Sequence, residues 1–377
     1  MGNVIVKEVT NKRELRKFVD YPNKLYKDVE QFVPAFYGDD LADWDKKKNP
    51  AFEYCSGKCF LAYRNGEIVG RIGAILSHKS NEKWGTQRMR FSQVDFIDDI
   101  EVSSALFAAV ENWAKENNCN QVHGPLGFCD LDREGMLVEG FDKRSMFITY
   151  YNHPYYNEHL EKLGYKKDVD WVEYKIYAPA PESDQGEKIH RIAEHIMKRK
   201  GYHLAKIKSK ADYKPYIKMI FELVNKAYAP LYGVVELTEK QIKKYATKFI
   251  PLIDPDYTCF VMDKDENMVA FGVSAPSLAE AMKKNRGKLF PFGFIPVLKA
   301  LKKNNAIDMF LIAVRPDLQG VGINAIILDH LIYNAAKNGI EYAETGPQLE
   351  TNSKILAQWK TFNKEQHKRR RCYIKNI

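Results

Sequence analysis

The chain has 377 residues, 45% of them hydrophobic and 28% charged, with a formal charge of +9. That length suits two domains of ordinary size, each with its own core, and the composition excludes a disordered or fibrous chain. No apolar run approaches the ~18 residues of a membrane span, and the opening MGNVIVKEV has no signal-peptide core, so a cytoplasmic protein is expected.

Taken in chain order, the pattern begins with a strand from Val4 and a helical region. Lys58 to Ala74 then reads as two strands joined by a turn at Asn65-Gly66. From Glu101, apolar residues at helical spacing (Leu106, Val110, Trp113) predict a long helix, followed by a short strand ending at Gly124-Pro125. A Gly- and Asp-rich loop follows, with Asp130, Asp132, Arg133 and Glu134 together. It either lines an acceptor pocket between lobes or is a turn-rich surface loop; the alternating acidic spacing of a calcium loop is absent. Tyr150 to Tyr156 holds four tyrosines in seven residues, with His153 among them and His159 close by, a composition typical of aromatic packing. A first unit closes near Tyr177. Residues 178–201 form a Pro-rich linker, APAPESDQGEK, and a helix over Ile189 to Lys200.

From about Tyr202 the plan starts again. Cys259-Phe260 and Val269 repeat Cys59-Phe60 and Val69 at an offset of 200, with a turn at Asp265 to Asn267. Further on, Leu328 repeats Leu106 and Gly346-Pro347 repeats Gly124-Pro125, at an offset of 222. The larger second offset implies an insertion in the second copy, placed at 276–306: AEAMKKNRGKLFPFGFIPVLKALKKNN, Lys-rich at its ends and apolar at its centre. It reads as a lid, a membrane-touching segment or an added helix pair. The domains expected are therefore 1–177, the 178–201 connection and 202–377.

Between strand Ile307–Val314 and the helix near Ile323 lies Arg315-Pro-Asp-Leu-Gln-Gly-Val-Gly-Ile-Asn-Ala325. A Gly-containing loop that opens a helix turns successive N–H groups towards a phosphate, and the helix dipole adds positive potential. Glycines at 320 and 322 permit an approach that a Cβ blocks. In this strand–loop–helix setting the segment Gln319-Gly-Val-Gly-Ile-Asn324 resembles the acetyl-CoA loop of the GNAT superfamily of N-acyltransferases, and the second copy follows that family's order almost throughout. The resemblance implies an α/β (α+β) fold of two tandem GNAT-like lobes, each a mixed, mostly antiparallel twisted sheet flanked by helices. It implies acetyl-CoA or another acyl-CoA as co-substrate, no metal, and contacts from Val314, Arg315, Gln319, Gly320, Val321, Gly322, Ile323, Asn324, Asn352 and Trp359. Two positions depart from the family: Asn324 replaces a small residue, and Trp359 stands where a Tyr general acid is usual. At an offset of 222, Gly320 falls on Asp98 and Gly322 on Ile100, so the first copy is expected to lack the phosphate loop while keeping a GNAT-like ending at Glu161-Lys-Leu-Gly-Tyr165.

The activity implied is N-acyl transfer, acetyl first among the options, to a small-molecule or peptide amine through a tetrahedral intermediate. Glu344, then Glu350, are the candidate bases. Two alternatives stay open: a CoA- or ligand-binding protein without chemistry, and a Fem-like aminoacyl or peptidyl transferase using aminoacyl-tRNA. The basic tail His367-Lys-Arg-Arg-Arg371 allows the second, although a solvated face is the usual reading and other nucleic acid is not expected. The six scattered cysteines (Cys55, Cys59, Cys119, Cys129, Cys259, Cys372) show no paired zinc spacing and read as free thiols. Pairing of the two lobes makes a monomer plausible.

Overall fold

A computed structural model describes residues 2–377; Met1, at the head of the expected first lobe, lies outside them. In chain order the elements are β1 (Ile5–Glu8), α1 (Lys12–Leu25), α2 (Tyr37–Asp43), β2 (Cys55–Arg64), β3 (Glu67–Ser77), α3 (His78–Trp84), β4 (Arg88–Phe96), α4 (Ile100–Glu116), β5 (Gln121–Gly124), β6 (Met136–Glu139), α5 (Tyr155–Lys162) and β7 (Lys166–Tyr177). Then follow α6 (Asp184–Lys200), β8 (His203–Leu204), α7 (Ile217–Tyr228), α8 (Glu239–Phe249), β9 (Thr258–Met262), β10 (Met268–Pro276), α9 (Ala279–Asn285), α10 (Phe294–Lys302), β11 (Ala306–Val314), α11 (Asn324–Lys337), β12 (Tyr342–Thr345), β13 (Gln348–Leu349), α12 (Ser353–Ala357) and β14 (Asn363–Asn376). The repeated hairpins appear where the turn residues place them. Asn65 and Gly66 both take positive φ (51° and 84°), the conformation a two-residue hairpin turn requires. The insertion is a helix pair, α9 and α10, and the linker helix α6 starts five residues earlier than expected because Ser183 caps it at the N–H of Gly186.

The chain divides into two compact units that are not contiguous in sequence: Met1–Val172 with Ala279–Pro296 and Lys368–Ile377, and Glu173–Leu278 with Val297–His367. The first half of the insertion and the last ten residues thus join the first unit, unlike the sequential division expected from the linker.

In the first unit the strand order is β1-β2-β3-β4-β5-β14, all antiparallel except β4–β5. Alternation along β2 sends Phe60 and Ala62 into one core with Leu106, Phe107 and Val110 of α4, and Cys59 and Leu61 into another with Phe18 and Trp44. Asp99 caps α4, accepting from the N–H of Glu101. The tyrosine-rich segment is interior: Tyr26 and Tyr156 share a hydrogen bond of 2.8 Å, and Tyr26 donates to the buried Asp95, which pairs with Arg71 at 2.7 Å. The Gly- and Asp-rich loop also folds inward, with Asp132 accepting from the N–H groups of Phe128 and Cys129. The basic tail is not a solvated face. Lys368 and Arg370 are buried at 1% and 0% exposure, and Arg369 and Arg371 both bind Asp170.

In the second unit the order is β7-β12-β11-β10-β9-β8, antiparallel except β11–β12. Both sheets carry a β-bulge at the same pairing, β3 against β4 and β10 against β11, so the repeat extends to backbone irregularity. One face packs on α11 and α6 through Ile307, Ile326, Ile327, Leu331, Ala193 and Ile196. On the other face Phe310 meets Phe249 of α8, with ring centroids 5.6 Å apart.

Candidate active site

Every cofactor contact the resemblance implies, and both candidate bases, lie in the second unit. Strand β11 pairs with β12 in parallel only from Ala306–Tyr342 to Met309–Thr345; after a last bond from the N–H of Gly346 to the Met309 carbonyl, that edge of β11 is open as far as Val314 while the other stays paired with β10. Phe310, Leu311, Ile312 and Val314 are half-buried along that open edge. Tyr228, at the end of α7, donates to the Ile312 carbonyl at 3.0 Å.

The loop after β11 is held by its own polar side chains. Arg315 bonds Asp317 at 2.8 Å and lies 3.9 Å from Asp263, while its N–H closes on the Val269 carbonyl. Accepting the N–H groups of Asn267 and Asp265, and beside Arg315, the Asp263 carboxyl titrates below the usual range. Gln319 reaches back to the Val314 carbonyl and accepts from Lys354. Gly320 and Gly322 have φ of 81° and 89°, a backbone path that L side chains rarely follow. The path leaves the N–H groups of Gly320, Val321, Gly322, Ile323 and Asn324 with no acceptor among the described residues. Ile323 is buried beneath them and Asn324 opens α11.

Helix α6 lies against this loop. A Cβ on Gly322 would come within 2.9 Å of Ile196. A cleft of about 450 Å³ opens there, floored by Ile192, Ile196, Tyr202 and Val321 and rimmed by Lys188, Arg191, His195, Arg199 and Lys200. Nothing in the local sequence of α6 marks these cations as neighbours of the loop.

Asp308 and Glu344 are paired rungs of β11 and β12, and so share a face, opposite Ile307 and Met309. Glu344 is also paired with Lys175 of β7, which brings Glu173, two residues earlier, onto the same face. Glu173, Asp308 and Glu344 are 0%, 1% and 5% exposed. Carboxylate oxygens of Glu173 and Glu344 and a ring nitrogen of His367 all lie within 4.8 Å of one another, with His367 Nε2 3.4 Å from Glu344. Glu344 therefore sits in a buried acid–imidazole cluster, the setting for proton transfer. Glu350 stands apart from the cluster, half-buried at the turn after β13. Of the cluster only Glu344 was predicted. Asp308, a lone charge inside the apolar run Ala306–Val314, was a legible signal; Glu173 and His367 carried none.

Two expected cofactor contacts have roles in the scaffold. Asn352 caps α12, accepting from the N–H of Ile355. Trp359 is 1% exposed, packed with Phe362 and Ile332, and its Nε1 donates to Gln348. In the first unit the equivalent of the phosphate loop is only Ile97-Asp98-Asp99. There Asp99 occupies the helix N-terminus and bonds Arg64, and Asp98 lies 3.1 Å from His159.

No family model matches the chain. It is 27% identical over 385 residues to protein YghO of Escherichia coli K12, covering 99% of this chain and 95% of that one. Over 293 residues it is also 27% identical to a bacterial ceramide synthase of Caulobacter vibrioides, covering 77% and 74%. A solved tandem GNAT protein from the clavulanic acid biosynthesis pathway superposes with a TM-score of 0.57 at 12% identity, over 99% of this chain and 98% of that one. The fold is that of tandem GNAT proteins. A GCN5-related N-acetyltransferase from Sphaerobacter thermophilus agrees, with a TM-score of 0.51 at 11% identity over 99% and 95% of the two chains. In the tandem GNAT frame the parallel β4–β5 and β11–β12 pairs are the same feature repeated, and only the second is followed by an open N–H loop.

Proposed function

We propose that the second unit binds an acyl-CoA and transfers its acyl group to an amine. The observation that carries this reading is the run of five open N–H groups, Gly320 to Asn324, at the start of the 14-residue helix α11 and beside the cationic cleft of α6. The pyrophosphate accepts hydrogen bonds from those groups, and the remaining phosphate and the base take the cations and apolar floor of the cleft. The pantetheine arm, an extended diamide, pairs along the open edge of β11 like an added strand.

The acceptor nitrogen attacks the thioester carbon, with β11 N–H groups supporting the oxyanion. Glu344 takes the proton the amine loses, with His367 at 3.4 Å to pass it on. The C–S bond then breaks, and the Tyr228 hydroxyl, which bonds the Ile312 carbonyl of β11, serves as the acid that protonates the thiolate. That hydroxyl takes the role that Trp359, whose indole gives up no proton at neutral pH, does not fill. Ceramides are N-acyl compounds, so the name of the Caulobacter relative fits amide formation as the reaction class.

Calorimetric titration with acetyl-CoA and with a long-chain acyl-CoA tests the reading. Micromolar binding by the native protein, lost in Gly322→Glu, is expected. In a thiol-release assay across amine acceptors, Glu344→Gln should lower turnover by about 10²–10⁴-fold while binding survives. Absence of native binding sinks the acyl-CoA reading. Binding without turnover on any amine favours a ligand-binding role without chemistry.

A further inference from the structure

Five of the eleven large apolar residues exposed among the described residues crowd into one stretch of the insertion: Phe290 at 83%, Phe292 at 72%, Leu298 at 52%, Ile295 at 41% and Phe294 at 39%. The segment that presents them is built, not loose. The N–H of Phe294 closes on the Leu289 carbonyl at 2.8 Å, and Asn285 donates to the Gly293 carbonyl at 2.8 Å. A Cβ on Gly293 would lie 1.8 Å from the Lys288 carbonyl, so only glycine fits the fold of this knuckle. Its base is pinned within the first unit, with the N–H of Tyr37 donating to the Gly287 carbonyl and Lys288 bonding Asp20. The two outermost rings are therefore held in water by an ordered backbone, an arrangement that apolar area opposes unless something covers it.

The charge around the rings says what does. Between Ala279 and Asn305 stand seven cations and one acid, Glu280, which is taken by Arg144 at 2.8 Å. Apart from Lys288, the cations Lys283, Lys284, Arg286, Lys299, Lys302 and Lys303 have no acid within ion-pair distance among the described residues. At 100° per residue, Phe294, Ile295, Leu298, Lys299 and Lys302 share one arc of α10 of about 140°, while Val297 on the other side is buried. Interfaces with proteins are depleted in lysine at their centres. A bilayer surface accepts this mixture, with rings in the acyl boundary and lysine stems snorkelling to anionic headgroups.

We propose that the Leu289–Ile295 knuckle and the exposed arc of α10 seat this protein on the surface of an anionic lipid bilayer. The inference stands apart from the acyl-transfer reading, since none of these residues belongs to that site.

Flotation of the full chain with phosphatidylcholine vesicles, alone or with about one-third phosphatidylglycerol, tests it. Binding to the anionic vesicles about tenfold tighter than to the neutral ones, and weakened by salt, is expected. Phe290→Ser with Phe292→Ser should cut vesicle binding by about tenfold or more with thermal unfolding unchanged. Lys299→Glu with Lys302→Glu should lessen it through the charge alone. The proposal is overturned if the native chain floats with neither vesicle, or if both variants bind like the native chain. It is equally overturned if sedimentation without lipid shows a dimer that the phenylalanine substitutions dissolve, since the patch is then covered by a second copy.

Discussion

Asp130 turns its Oδ1 into the first unit without a hydrogen bond, and burial pushes its carboxyl up to about 6. Arg90 and Lys83 oppose that shift and Asp132 adds to it. Glu134 close by is also raised, again chiefly by burial and then by Asp130. Both groups hold protons more tightly folded than unfolded, so their contribution favours folding at low pH. It declines as pH rises from the unfolded value near 4. For Asp130 the decline runs up through about pH 6. Asp130→Asn, which mimics the protonated acid, should flatten the fall in stability between about pH 4 and 6.5 by ~2 kcal/mol, less than the full shift implies because part of the side chain meets water. Urea unfolding at a series of pH values measures it, and an unchanged slope would mean the carboxyl ionises freely in the fold. Single residues were the scale least legible in the sequence. Asn352 and Trp359 matched a family spacing, but which way a side chain faces depends on local capping and on the Phe362 and Ile332 packing, neither of which spacing encodes.

At the scale of elements, local chemistry did show through. Hairpins follow from alternation and turn residues, α4 from apolar spacing, and the strand–loop–helix at Arg315–Ala325 from glycine placement, all within a few residues of one another. Helix α6 showed as a helix over Ile189 to Lys200, but its part at the loop did not, because its cations stand more than a hundred residues before the loop they flank. Yet this helix supplies most of the positive charge around the candidate phosphate site. Reversing Arg191 and Arg199 to Glu should lower affinity for acyl-CoA by roughly tenfold or more, and should flatten the dependence of binding on salt. Calorimetry at two ionic strengths reads both. An affinity equal to that of the native protein would confine cofactor recognition to the loop itself and leave α6 a structural helix. The place of this helix is set by Ala193 and Ile196 in the α11 core, so the reversal should leave folding intact.

For the molecule as a whole, the repeat misleads in one respect. Two similar halves in sequence suggest two consecutive domains, but the last ten residues complete the first unit. Tyr373 to Asn376 pair with Gly124 to Gln121 of β5, and Arg370 and Arg371 with Leu137 and Met136 of β6. Arg370, Cys372 and Tyr373 are at most 1% exposed. Strand pairing across more than two hundred residues leaves no mark in local periodicity, which is why the tail read as a surface run of charge. The energetic consequence is large. Losing the tyrosine's burial forfeits ~2–3 kcal/mol, and unpairing the ladder forfeits about 1 kcal/mol for each bond, against a typical domain stability of about 5–15 kcal/mol. Deleting residues 368–377 should therefore unfold the first unit selectively. In amide exchange of the truncated chain, Val122 and Leu137 should lose protection while Val261 and Phe271 of the second unit keep theirs. Equal protection in both chains would show that the first unit closes without its C-terminal strand. Loss throughout would show instead that the two units fold only together.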